Sequence, residues 1–97
     1  MKKEELFYID EAERRAVLLG YIMPLTKSEL KILTFIKEND EYTRADDIMQ
    51  AVFADKEITR ENASVHVCVI NRKARRISGR NLIECKRYKG YKIVDKI

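Results

Sequence analysis

The first clear pattern of hydrophobic and polar positions is helical and covers residues 27–38. At 100° per residue its apolar side chains spread over a wide arc: Leu30, Ile32, Leu33, Phe35 and Ile36. Thr26 followed by Glu29 forms a capping box, which predicts that the helix begins there. So broad an apolar face indicates a helix that packs on two sides.

A second helix is predicted over residues 44–54, with Thr43 as its N-cap and Asp46 three residues later. Near the end of the chain, residues 82–95 alternate apolar and polar positions around the turn YKGY, which is typical of a β-hairpin. Three aromatic side chains in and around these segments are expected in the core: Tyr42, Phe53 and Tyr91.

Two segments fit more than one structure. The stretch DEAERRAVLLG would pass for a helix, with Asp10 as its cap and Gly20 at its end. In VHVCVINRKARR, residues 65–76, the valines share a period-2 face, as in a strand. A wider window, 61–77, instead shows an apolar stripe about 80° wide with helical spacing: Ala63, Val67, Ile70, Ala74 and Ile77. A strand of that length would be unusual, so a third helix is predicted over residues 60–77.

The face opposite this stripe carries mixed chemistry: Glu61, Asn62, Val65, Cys68, Val69, Arg72 and Arg76. Residues 1–57 hold 9 Lys and Arg against 13 Asp and Glu, net −4, whereas residues 58–97 hold 11 against 3, net +8. A localised basic excess is the footprint of a polyanion-binding surface, and a solvated charged face is the alternative. Two valines among the basic residues favour a partner over water alone.

Composition and motifs restrict the class of protein. Ninety-seven residues, 45% hydrophobic and 37% charged, predict a single globular domain. No apolar run approaches a membrane span of roughly 18 residues, and the N-terminus lacks the apolar core of a signal peptide, so a cytoplasmic protein is expected.

Neither catalysis nor a metal or cofactor site is predicted. Cys68 and Cys85 are interpreted as reduced packing thiols in apolar surroundings, and on a helix His66 and Cys68 would point about 200° apart. The single histidine has no nucleophile to pair with, and the three glycines form no phosphate-binding loop, so an enzyme is not expected.

The order and spacing of the motifs resemble the OmpR/PhoB-type effector domain, the DNA-binding half of many bacterial response regulators of two-component systems. The resemblance rests on these stretches: PLTKSELKIL, TRADDIMQAVF, VHVCVINRK and LIECKRYKGYKI. It implies an α+β winged helix-turn-helix with an N-terminal antiparallel sheet over residues 5–25, three helices and a C-terminal hairpin wing. The stretch DEAERRAVLLG should then contain strands.

The resemblance also implies sequence-specific binding of double-stranded DNA in transcription regulation, with the third helix in the major groove and the wing in the minor groove. His66 matches a phosphate-contacting His, Val65 a residue that touches base edges, and Arg87 the wing Arg. The basic cluster of the third helix and the other residues on its outward face are added to these three matches. The predicted DNA-binding set is Asn62, Val65, His66, Val69, Arg72, Lys73, Arg76, Arg87 and Lys89. Members commonly bind direct repeats as homodimers and contact RNA polymerase through the loop after the second helix, here residues 54–59.

Several alternatives stay open at this stage. Val69 and Asn71 stand where many members carry Arg, and Tyr88 stands where the wing usually has Gly. His66 could be a half-buried structural histidine, and Tyr88 could pack under the wing. A winged helix that binds a protein through Val65 and Val69, without binding DNA, is the rival function.

Overall fold

The computed structural model describes residues 6–39, 41–51, 60–95 and 97, with side chains in the third helix described from residue 63 onward. The elements follow one another along the chain as β1 (Phe7–Asp10), β2 (Arg15–Leu18), β3 (Tyr21–Met23), α1 (Lys27–Glu38), α2 (Ala45–Ala51), α3 (Arg60–Ser78), β4 (Ile83–Lys86) and β5 (Gly90–Ile93). Three helices therefore lie between a three-stranded antiparallel sheet and a hairpin. This is the architecture that the resemblance implied.

The ambiguous stretch before position 20 forms a turn and a strand. β2 is the central strand of the sheet, with Val17 paired to Tyr8 on one side and to Ile22 on the other. Its backbone hydrogen-bonds to both neighbours, and Ala16 and Leu18 are fully buried. Tertiary pairing thus overrides the local helical pattern.

The first helix uses its wide apolar arc as predicted. Ile32, Leu33 and Ile36 are fully buried, and Leu30 and Phe35 pack partly buried against the same core. That core also receives Phe7, Leu18 and Met23 from the N-terminal sheet and Ala63, Val67, Ile70 and Ala74 from α3. The capping box is present, since Glu29 N donates to Thr26 Oγ1 at 3.2 Å and Thr26 N donates to Glu29 Oε1 at 3.0 Å. Within the described part of the chain, no helix combines the length and apolarity needed to cross a bilayer.

The predicted N-cap of the second helix is displaced by one residue. The helix begins at Ala45, and the carbonyl of Arg44 accepts its first bond, from Ile48 N at 3.1 Å. Asp47 in turn accepts from Arg44 N at 3.3 Å. Thr43 is instead held by the wing, because its backbone exchanges two hydrogen bonds with Tyr91. Of the predicted range, residues 52–54, and with them Phe53, lie outside the described residues.

Candidate nucleic-acid interface

The third helix separates a buried face from an exposed one. Ala63, Ile70 and Ala74 are fully buried and Val67 nearly so, while Ile77 packs partly buried against the core. Because successive side chains on a helix are rotated by 100°, residues about half a turn away from this buried stripe point outward. The strand interpretation of VHVCVI is thereby excluded, as α3 runs unbroken over Arg60–Ser78.

The outward face brings together most of the residues predicted for the major groove. Val65 is 57% exposed, Arg72 and Arg76 are exposed, and Val69 is half-buried between them. One side chain of the predicted set, that of Asn62, lies outside the described residues, although its backbone belongs to α3. A helix face that carries both apolar side chains and guanidinium groups suits a surface with both methyl groups and anions, which the major groove of DNA offers.

Cys68 and Cys85 are not packing thiols, contrary to the sequence-based interpretation. Both are exposed. Cys68 lies on the outward face of α3, where the helical spacing directs its side chain away from the core. Cys85 lies on β4, outside the buried cluster.

The predicted contacts His66 and Lys73 lie beside the outward face, on the flank nearer to α1. Lys73 Nζ donates to Glu29 Oε1 at 2.6 Å, and the two side chains are 22% and 5% exposed. His66 is half-buried and close enough for its charge to act on Glu29. Lys73 therefore has a partner within the fold, and a contact with phosphate would have to share its ammonium group with Glu29.

Glu29 joins the start of α1 to the middle of α3. Its Oε1 accepts both from the backbone of Thr26 and from Lys73. Burial acts to raise the pKa of this carboxyl, but the hydrogen bonds from Lys73 and Thr26 and the nearby positive charges outweigh burial and lower the pKa below its ordinary value. The charged form of the carboxylate is thus favoured, and its ion pair with Lys73 connects α1 to α3.

Asn71 has a structural role that the sequence did not indicate. Its Oδ1 accepts from Leu82 N at 3.0 Å and from Ile83 N at 2.8 Å, and its Nδ2 donates to the carbonyl of Ile83 at 3.0 Å. All three bonds are buried. One amide side chain therefore satisfies the backbone at the start of β4 and attaches the wing to α3. A polar residue at the edge of an apolar helical stripe was the available signal.

The wing is also attached to the start of α2. Thr43 N donates to Tyr91 O at 2.7 Å, and Tyr91 N donates to Thr43 O at 2.8 Å. Gly90 makes this approach feasible, because its φ is +109° and an added Cβ would lie 2.7 Å from the carbonyl carbon of Thr43. Gly90, which lies in the hairpin stretch LIECKRYKGYKI that carries the resemblance, thus has a steric reason to be there.

The wing surface carries a cluster of lysines around one ring. The ammonium groups of Lys86, Lys89 and Lys92 lie 5.8–5.9 Å from the ring centroid of Tyr42, which is half-buried rather than in the core. A hydrogen bond with Glu84 raises the pKa of the Tyr42 hydroxyl. Lys89, a predicted DNA contact, is exposed within this cluster, and Arg87 is exposed at the turn of the hairpin.

The sequence matches no protein-family profile. No curated protein shows significant similarity to it either. Solved structures do match the fold: the DNA-binding domain of the response regulator AdeR, bound to an intercistronic region, superimposes with a TM-score of 0.76 at 18% identity, covering 96% of each chain. The Klebsiella pneumoniae RstA DNA-binding domain, bound to the RstA box, gives a TM-score of 0.72 at 17% identity, covering 92% of this chain and 91% of that one.

This chain has a winged-helix fold. The resemblance to DNA-binding domains of the OmpR/PhoB type is thereby confirmed in three dimensions. A redox sensor of the streptococci, from a family that evolved from two-component response regulators, gives a TM-score of 0.79 at 16% identity over 92% of this chain. The winged helix spans only 39% of that longer protein.

Proposed function

We propose that this winged helix binds double-stranded DNA sequence-specifically and regulates bacterial transcription in the cytoplasm. The observation that carries the proposal is the outward face of α3, on which the exposed side chain of Val65 and the exposed side chains of Arg72 and Arg76 point in the same direction. In this proposal α3 enters the major groove and Arg87 on the wing enters the minor groove. Both structural neighbours described with bound DNA share this fold.

Basic and aliphatic side chains would contribute to DNA binding in different ways. Guanidinium and ammonium groups neutralise phosphates, which supplies affinity and register but little sequence information. Aliphatic side chains read bases through the C5-methyl group of thymine. The net +8 of residues 58–97, 11 positive against 3 negative residues, places the cations in the half of the chain that contains α3 and the wing.

Two parts of the proposal concern partners other than DNA. If a second copy of this domain binds the other half of a direct repeat, the α3 helices of the two copies would lie on successive half-sites. A contact with RNA polymerase would use residues 54–59, which lie outside the described residues.

The first prediction is a strong salt dependence of duplex binding. If the domain neutralises on the order of 4 to 6 phosphates, log K should fall against log[salt] with a slope of about −4 to −5. The double variant Arg72→Ala/Arg76→Ala should reduce that slope by about 2. Fluorescence anisotropy on a duplex selected from random sequences, at several salt concentrations, measures both.

The matched control is Lys31→Ala/Lys37→Ala, which removes two positive charges from α1. Lys37 lies against Phe7 of the N-terminal sheet, at 6.0 Å from its ring. This variant should keep the slope of the unmodified protein. A slope near zero for the unmodified protein, or equal slopes for both double variants, would contradict the proposal.

The second prediction concerns base reading by Val65 and Val69. Replacing the thymines that face α3 by deoxyuridine removes only a methyl group, and each replacement should cost somewhat under about 1 kcal/mol, the scale of one buried CH₂. The same replacement at thymines outside the footprint is the control. Unchanged affinity at every thymine of the selected site would mean that the valines face a different partner, and a protein-binding role would then be favoured.

A further inference from the structure

The turn of the wing has an unusual residue at its second central position. Lys89 N donates to the carbonyl of Lys86 at 3.0 Å, so Arg87 and Tyr88 are the two central residues of a tight turn. Tyr88 has a φ of +69°. A positive φ at this position is the requirement of a type II turn, where Gly or Asn is strongly preferred because a larger side chain is strained.

Within the described residues, the side chain of Tyr88 has no buried contact that would offset this strain. The Tyr88 side chain is 82% exposed, so it does not pack under the wing as the sequence allowed. Its ring instead lies beside the guanidinium of Arg87, 5.2 Å from centroid to carbon. A bulky residue held in a sparsely populated conformation, with its ring in solvent, points to a use outside the fold.

We propose that Tyr88 is a DNA-contacting residue whose ring packs on the sugar wall of the minor groove next to Arg87. This rests on the proposed function, in which the wing enters that groove. The tight turn projects both side chains from the same end of the hairpin, and the ring holds the guanidinium by a cation–π contact before binding. The faces of the deoxyribose rings are apolar and present at every nucleotide, so the ring adds affinity without charge.

The ring and the cation would then contribute differently. Arg87 responds to the negative potential of a narrow A·T-rich groove, and its contribution depends on salt. Tyr88 contributes through buried apolar area, which depends little on salt. This difference separates a direct contact by the ring from a role in which Tyr88 only supports the arginine.

The test compares substitutions at the turn on the selected duplex. Tyr88→Asn keeps a side chain that tolerates positive φ but lacks the ring, and it should weaken binding about tenfold, the scale of one lost aromatic contact with a nucleotide. The salt slope should be unchanged, and the melting temperature should stay the same or rise. Tyr88→Phe should retain affinity. Arg87→Ala should weaken binding and reduce the slope by about 1.

Tyr21→Asn is the matched control, because Tyr21 is also a highly exposed tyrosine, at 67%, but lies on β3. It should leave affinity unchanged. If Tyr88→Asn binds as tightly as the unmodified protein while Arg87→Ala does not, the inference fails and the proposed function stands. If neither change affects binding, the wing does not touch DNA, and if Tyr88→Asn lowers the melting temperature substantially, the ring serves the fold; either result overturns the inference.

Discussion

Replacing Asn71 by Ala is expected to lower the free energy of unfolding by about 3 kcal/mol. The change removes three buried hydrogen bonds and leaves the N–H groups of Leu82 and Ile83 and the carbonyl of Ile83 without the partner they have now. For a domain of this size the melting temperature should fall by roughly 15 °C. Thermal and urea denaturation measure the loss.

Asn81→Ala is the matched control for this prediction. Asn81 is an exposed amide that accepts a hydrogen bond from Arg75, so its loss should cost no more than about 0.5 kcal/mol. Amide hydrogen exchange adds a local readout, because the N–H groups of Leu82 and Ile83 should lose protection in Asn71→Ala before the rest of the chain does. Equal stability losses in the two variants would mean that Asn71 does not hold the wing.

The role of Asn71 shows where sequence reasoning reached its limit. The periodicity of α3 placed Ala63, Val67, Ile70 and Ala74 in the core and Val65 on the surface, because a regular helix fixes side-chain direction from residue to residue. The contacts of a residue at the edge of this apolar stripe depend instead on which other segment of the chain packs against it. For Asn71 that segment begins 11 residues later, and no local pattern encodes the contact.

In the N-terminal sheet, too, contacts between separate segments decide the structure, here against the local sequence pattern. The local pattern of DEAERRAVLLG favoured a helix, and only the resemblance implied strands. β2 is a strand because β1 and β3 pair with both of its edges. In the same way, Thr43 was predicted as an N-cap, but its backbone is hydrogen-bonded to Tyr91 of β5. The core face of α3 and the capping box of α1 were predictable from the sequence, whereas the N-cap of α2, the wing attachment and the Glu29–Lys73 pair were not.

Replacing Lys73 by Met is expected to destabilise the fold by about 2 to 3 kcal/mol near neutral pH. The change leaves the buried carboxylate of Glu29 without its cation, and losing one partner of a buried pair typically costs 3–5 kcal/mol. The expected loss is smaller here because Lys73 is 22% exposed and water screens part of the interaction. Urea denaturation at several pH values measures it.

The loss should depend on pH with a definite sign. In the folded protein the pKa of Glu29 lies below its ordinary value of 4.5, so the pair contributes fully above that value and loses its contribution as the pH falls through the lowered pKa. Without Lys73, burial should raise the pKa of Glu29. The difference in stability between the unmodified protein and Lys73→Met should therefore begin to shrink above pH 4.5, as the variant takes up a proton at Glu29, and should go on shrinking as the pH falls through the lowered pKa of the unmodified protein. A difference that stays constant would contradict a charged Glu29 as the cause.

The double variant Glu29→Gln/Lys73→Met separates this role from a contact with DNA. Gln at position 29 can still complete the capping box with Thr26, and it leaves no buried charge without a partner. The double variant should therefore recover much of the stability lost in Lys73→Met. If Lys73 serves the fold, the double variant should bind DNA with an unchanged salt slope. If Lys73 also neutralises a phosphate, the slope should drop by about 1 in both variants, because neither retains that ammonium group.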